Sequence, residues 1–224
     1  MDNQEFDKAL IAAAFDLAAE QGWSRMRVAP AARRAGLDLG RARQRFAHRA
    51  AVLRRFGQLA DREALAAASA GSPVRDQIFD MLMRRIDVLQ AHRAGMLALF
   101  RALPANPPAA LFLAKSSVCS MGWILEAAGV SAAGPMGILR AKGLFGVWLW
   151  TVRAWRGDES ADLAATMAAL DQALTRAEQA EAWLHPRRNA AAADTPFGES
   201  AASEAEPPPP DAAPDIAPEP PTFS

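Results

Sequence analysis

The sequence predicts an all-α chain: an N-terminal domain of three to four helices carrying a helix-turn-helix, a second helical domain, and a tail. Three observations predict it. Hydrophobic residues make up 51% of the 224 residues, tyrosine is absent, and β-branched residues are scarce beside runs of Ala and Leu, a balance that favours helix over sheet. The apolar residues recur every three to four positions, the period of a helix with one buried stripe. Gly22, Gly36, Gly71-Ser72-Pro73, Pro104 to Pro108 and Gly129 to Gly134 mark breaks between the periodic segments.

The first helix is expected over residues 4–21, where Phe6, Leu10, Ala13, Ala14 and Leu17 share one face. Gly22 follows as a left-handed cap, and Trp23 folds back on the stripe. A short second helix covers residues 28–35, with Pro30 tolerated in its first turn, and Gly36 stops it. Asp38 is a suitable N-cap for a third helix over residues 39–46. Leu39, Ala42 and Phe46 share one face of it; Arg41, Gln44 and Arg45 share the other. A fourth helix starts near His48 and runs through Val52, Leu53, Phe56 and Leu59. This first domain spans residues 1–70.

Gly71-Ser72-Pro73 separates it from a domain over residues 74–185, with helices expected at 74–91, 92–103, 108–128, 135–155 and 161–184. Asp158 or Ser160 can cap the last of them. From residue 186 onward the chain is Ala, Pro and acid, and ten of the sixteen prolines lie there. Such a segment buries too little apolar surface to offset its ordering entropy, so residues 186–224 are expected to be disordered.

The formal net charge of zero hides an asymmetry. Between Arg25 and Arg55 stand ten arginines and a single acid, Asp38, whereas residues 189–224 carry seven acids and no Lys or Arg. A basic block of that density is the pattern of a chain that meets a polyanion. The lone Cys119 excludes an internal disulfide and fits a reducing compartment. No secretory pattern opens the chain, and the longest near-continuous apolar run, residues 143–152, is half a membrane span. A cytoplasmic protein without a membrane span is expected.

Ala35-Gly36-Leu37-Asp38, then Gly40, Phe46 and Ala51-Val52-Leu53, resemble the DNA-binding head of the tetracycline-repressor (TetR) family of transcriptional regulators. The resemblance covers Phe6 to Leu65 and extends loosely over residues 74–184, where such proteins carry a helical effector-binding and dimerisation domain. It departs at Ala42, where the family has a larger aliphatic residue, at Arg43, where it has an aromatic that touches phosphate, and at Ala47, commonly proline. Arg49 matches a basic position that holds the DNA backbone. The resemblance implies a ligand-responsive repressor acting as a homodimer on double-stranded DNA. A similar architecture with a DNA-silent head occurs in an accessory protein of ubiquinone biosynthesis that binds lipid, and this is the alternative.

Arg41 and Gln44, on the outer face of the third helix, are expected at base edges, Arg on guanine and Gln on adenine. Arg27, Arg43, Arg45 and Arg49 are placed for phosphates, and Gly40 and His48 complete the positions expected against DNA. Met83, Met96, Met121, Trp123, Lys142 and Trp148 are candidates to line a pocket for a small apolar or amphipathic effector, although Met and Trp at helical spacing also suit a plain core. The three histidines lack metal-ligand spacing, and no phosphate loop, paired catalytic carboxylates or Ser-His-acid set is visible. Neither a cofactor nor an enzyme activity is expected.

Overall fold

Asp2 opens the first helix, α1 (Asn3–Gln21). Its carboxylate accepts from the Gln4 and Glu5 amides at 2.6 and 2.8 Å, and the Glu5 carboxylate accepts from the Asp2 amide at 2.9 Å, a reciprocal capping box. Gly22 ends α1 at φ +84°, its amide on the Ala18 carbonyl at 3.0 Å. The ψ of 150° turns the chain away instead of adding a left-handed turn. Trp23 does fold back, fully buried and stacked on Phe15 with ring centroids 5.8 Å apart. This computed structural model describes residues 1–68 and 71–184, and the tail expected to be disordered lies outside them.

The helices that follow are α2 (Val28–Arg34), α3 (Leu39–Arg45), α4 (Arg49–Leu65), α5 (Val74–Gln90), α6 (Arg93–Ala102), α7 (Pro107–Ala127), α8 (Gly134–Gly157) and α9 (Ala164–Leu184), with one 3₁₀ turn at Leu103–Ala105. No strand occurs among the described residues, so the all-α class holds. Between α2 and α3, Gly36 takes φ +64°, and the Leu37 amide reaches back to the Ala32 carbonyl at 2.8 Å. Asp38 then caps α3, accepting from the Arg41 amide at 2.7 Å. Leu39 departs from the expected buried face: it is 41% exposed, while Ala42 and Phe46 are buried.

α1 is buried on two sides rather than one. Besides the expected stripe, Ile11, Phe15 and Ala18 are in the core, because α6 packs across α1. Gly95 makes that crossing possible, since a Cβ there would strike the backbone and Cβ of Phe15. His92, at the N-cap of α6, stacks on Phe15 at 5.4 Å and meets Phe56 edge-on at 5.8 Å. Burial pushes its imidazole below the usual range, with Asp16 opposing the shift.

Leu144, Val147, Trp148, Thr151 and Trp155 on α8, Leu170 and Leu174 on α9, and Leu163 just before α9 are buried within one chain, where α8 and α9 pack together. They are not free to join two copies. α7 is the one described helix long and apolar enough to cross a membrane, with 21 residues and a mean hydropathy of 1.3 over its most apolar window. It packs against α4 and α8. A scan for unbroken apolar runs overlooks it because Lys115 and three serines interrupt the sequence.

α9 starts at Ala164, three residues later than expected, because Asp158 caps it from a distance. The buried Asp158 carboxylate accepts from the Thr166 amide at 2.8 Å, the Thr166 hydroxyl at 2.7 Å, and the Ser160 amide and hydroxyl. The chain reaches that geometry through Leu163 at φ +55°. These bonds, from Ser160 first and then Thr166, hold the Asp158 carboxyl well below the ordinary 3.8. A carboxylate depressed in the folded state stabilises the fold above its unfolded value, and that contribution is lost as pH falls through the folded one. Asp158→Ala should therefore cost about 2 kcal/mol at neutral pH, the worth of an N-cap with charge-assisted bonds. Its denaturation midpoint should also decline less steeply than wild type between about pH 4 and pH 2. Equal melting curves at pH 7 would show that the cap contributes nothing.

Candidate nucleic-acid interface

The ten-arginine block runs from the turn before α2 into α4, and a groove of about 650 Å³ opens between α2, α3 and the start of α4. Met26, Val28, Ala42 and Phe46 form its floor, and Arg27, Arg43, His48, Arg49 and Leu39 stand around it. Arg43 donates to the Ala47 carbonyl at 2.7 Å and Arg49 to the Ser24 carbonyl at 3.0 Å. Each guanidinium is thereby held at the groove by one of its nitrogens, leaving other N–H groups for an acceptor. Ala42 and Ala47, both small, line this groove beside Arg43.

Four of the eight positions expected against DNA thus meet in one groove: Arg27, Arg43, His48 and Arg49. The other four lie along α3 outside it. Gln44 is exposed and has no hydrogen-bond partner among the described residues. Gly40 is exposed at the first turn, where a Cβ would stand 3.3 Å from the capping oxygen of Asp38. Arg41 does not project freely. Its guanidinium donates to Asn3 Oδ1 at 2.7 Å and to the Asp2 carbonyl at 3.2 Å, and it lies 4.4 Å from the Phe6 ring centroid.

Arg45, expected at phosphate, is committed elsewhere. Its Nε and Nη2 each donate to Asp7 at 2.7 Å, and the carboxylate raises its guanidinium above the ordinary value. Arg55 approaches the same carboxylate at 3.6 Å. A bidentate, half-buried pair ties α3 to α1, so Arg45 fixes the orientation of α3. Sequence spacing places Arg45 on the outer face; only the packing of α1 supplies the acid that captures it.

The effector candidates separate into two groups. Met96, Met121 and Trp148 are buried, and Met83 is partly so. Trp123 is 68% exposed and Lys142 is also exposed, so neither lies with them. The body also holds a polar cluster that sequence spacing does not single out. Arg85, on the buried stripe of α5 between Leu82 and Leu89, pairs with Asp61 of α4, which also accepts from Ser120 of α7 at 2.9 Å. An arginine at an apolar-stripe position is the signal that could have marked it.

No protein-family model and no curated protein matches the chain. Among solved structures, the TetR transcriptional regulator from Nitrosomonas europaea superposes with a TM-score of 0.64 at 23% identity, over 78% of this chain and 99% of that one. The chain has the TetR-type fold. A TetR transcriptional regulator from Rhodococcus matches at TM-score 0.46 and 19% identity, covering 78% of this chain and 97% of its own. One from Streptomyces coelicolor matches at 0.39 and 18%, covering 75% and 96%. The ubiquinone-biosynthesis alternative gains no support.

Proposed function

We propose that the chain is a cytoplasmic, ligand-responsive transcriptional regulator that binds double-stranded DNA as a homodimer. The head, residues 1–70, meets the duplex, and the body, residues 74–185, carries the dimer contact and the effector site. The observation that carries this reading is the groove beside α3, where Arg27, Arg43, His48 and Arg49 converge on a helix that follows a tight turn. Arginines so placed fit phosphates and orient the head without reading sequence, while Gln44 on the outer face of α3 reads bases. A protein seated on a promoter in this way excludes polymerase, so repression is the simplest output. Selection of bound fragments from a random duplex library tests the reading: a two-fold symmetric site should be enriched, matching a dimer. Binding with no enriched site would reject it.

The dimer contact falls on the outer face of α8. Ile138, Leu139, Leu149 and Trp150 are about half exposed there, and Gly143 and Gly146 among them have open space in front. Small residues flanked by large apolar ones let two helices approach closely, and a two-fold dimer sets the same patch of each copy against the other. Ile138→Glu with Leu149→Glu should convert a sedimenting dimer to a folded monomer at tens of micromolar, on the order where weak association still registers. A wild-type monomer at that concentration would contradict the assignment.

A further inference from the structure

A second cleft, of about 260 Å³, lies between the start of α1, Arg45 at the end of α3, and the middle of α4. It shares no residue with the groove beside α2. Ile11 and Leu59, both buried, form its floor. Four cations line it, Lys8, Arg45, Arg55 and Arg62, against a single acid, Asp7. That acid is engaged: Arg45 holds it with two donors, and Arg55 stands 3.6 Å from it. Lys8 meets Glu63, outside the lining, only at 3.9 Å.

The surplus positive charge is on α4. Arg55, Gln58, Leu59 and Arg62 fall at i, i+3, i+4 and i+7 and so share one face. Neither arginine has an acid three or four residues away along α4, so the helix supplies no neutralising partner. The Arg62 guanidinium and the Gln58 amide have no hydrogen-bond or ion-pair partner among the described residues. Residues seven apart on a helix are separated by about 10 Å along its axis. The cleft therefore offers two guanidinium groups two turns apart, with an amide donor between them.

We infer that this cleft binds an oligophosphate, the chemistry shared by a nucleoside triphosphate and an inorganic phosphate chain. A carboxylate or a lone phosphate neutralises one end of such a site, whereas linked phosphates bring negative charge to both. Arg55 and Arg62 take the phosphate oxygens with forked donors, and the Gln58 amide donates between them. Lys8 adds a point charge from α1. Arg45 stays on Asp7, so the pair that holds α3 is not undone. Arg55, Gln58 and Arg62 are absent from the groove that meets the duplex in the reading above, and the inference does not depend on that reading.

Tripolyphosphate, magnesium-free ATP, adenosine and inorganic phosphate are the probes, titrated calorimetrically into the full chain at low salt. Tripolyphosphate and ATP should each bind about tenfold or more tighter than inorganic phosphate, the worth of one more charged hydrogen bond, and adenosine should not bind. Equal affinities assign the phosphate chain alone, and tighter ATP adds a nucleoside contact; either supports the inference. Arg55→Gln with Arg62→Gln should weaken both ligands about tenfold or more. Gln58→Glu, which sets a carboxylate between the two arginines at an exposed position, should do the same while keeping every cation. Arg43→Ala with Arg49→Ala, at the other groove, should bind both as wild type does. The inference is overturned by oligophosphates that bind no tighter than phosphate, by binding that survives both α4 variants, or by binding lost in the Arg43 and Arg49 variant instead. Duplex titration separates the remaining source of phosphate. Arg55→Gln with Arg62→Gln should keep the wild-type salt slope, and a slope shallower by about 0.9 per contact would give the cleft to the DNA backbone and overturn the inference as well.

Discussion

Replacing Gly95 by valine should cost the fold about 3 kcal/mol or more, the upper range for overpacking against parts that cannot move. The atoms a Cβ would meet are the Phe15 carbonyl oxygen, carbonyl carbon and Cβ, none of which can rotate away. Alanine makes the sign informative. In a helix interior it is favoured over glycine by about 1 kcal/mol, so an open site would gain stability from Gly95→Ala. Here the collision wins, and Gly95→Ala should be net destabilising. Forcing α6 from α1 also disturbs the Phe15, Trp23, Phe56 and His92 rings, so both variants should weaken duplex binding as they lose stability. Chemical denaturation gives the answer directly: an alanine variant as stable as wild type would mean that the two helices do not cross this closely.

Arg43→Ala with Arg49→Ala should lower affinity for every duplex by about a hundredfold or more at low salt, since each charged hydrogen bond contributes about 1.5–3 kcal/mol. The logarithmic salt slope should become shallower by about 0.9 for each phosphate contact removed, hence by roughly 3–4 for two protomers. Both side chains hold backbone carbonyls at the groove edge, so the melting temperature should change little. Titration of labelled duplexes over a range of salt concentrations separates the outcomes. An unchanged slope would place the phosphate contacts elsewhere on the head.

What the sequence made legible was local. Asp38 as a cap, Gly36 as the turn and the α3 interval follow from residues within a few positions of each other, and all three appear in the structure. What it missed depends on distant partners. Arg45 and Arg41 sit on the expected outer face, yet residues at the start of α1 engage both. Leu39 has the period of a core residue but lies at the groove mouth, beyond the reach of α1. Leu144, Val147, Trp148, Thr151 and Trp155 have the period of a buried face, but periodicity does not say whether α9 or a second copy covers it; here α9 does. Arg85 escaped because Arg84-Arg85 reads as a solvated pair until α4 brings Asp61 to it.

In the proposed function the head reads DNA with Gln44 on α3 and grips it with the arginines of the groove. Comparing Gln44→Ala and Arg49→Ala on the selected site and on a scrambled duplex tests it most directly. Gln44→Ala should lose about 1–3 kcal/mol of preference for the site while keeping the affinity for scrambled DNA and its salt slope. Arg49→Ala should weaken both duplexes equally and flatten the slope by about 0.9 per contact. If the two variants fail in the same way, or Gln44→Ala leaves the preference intact, the outer face of α3 does not read sequence and the claim is wrong.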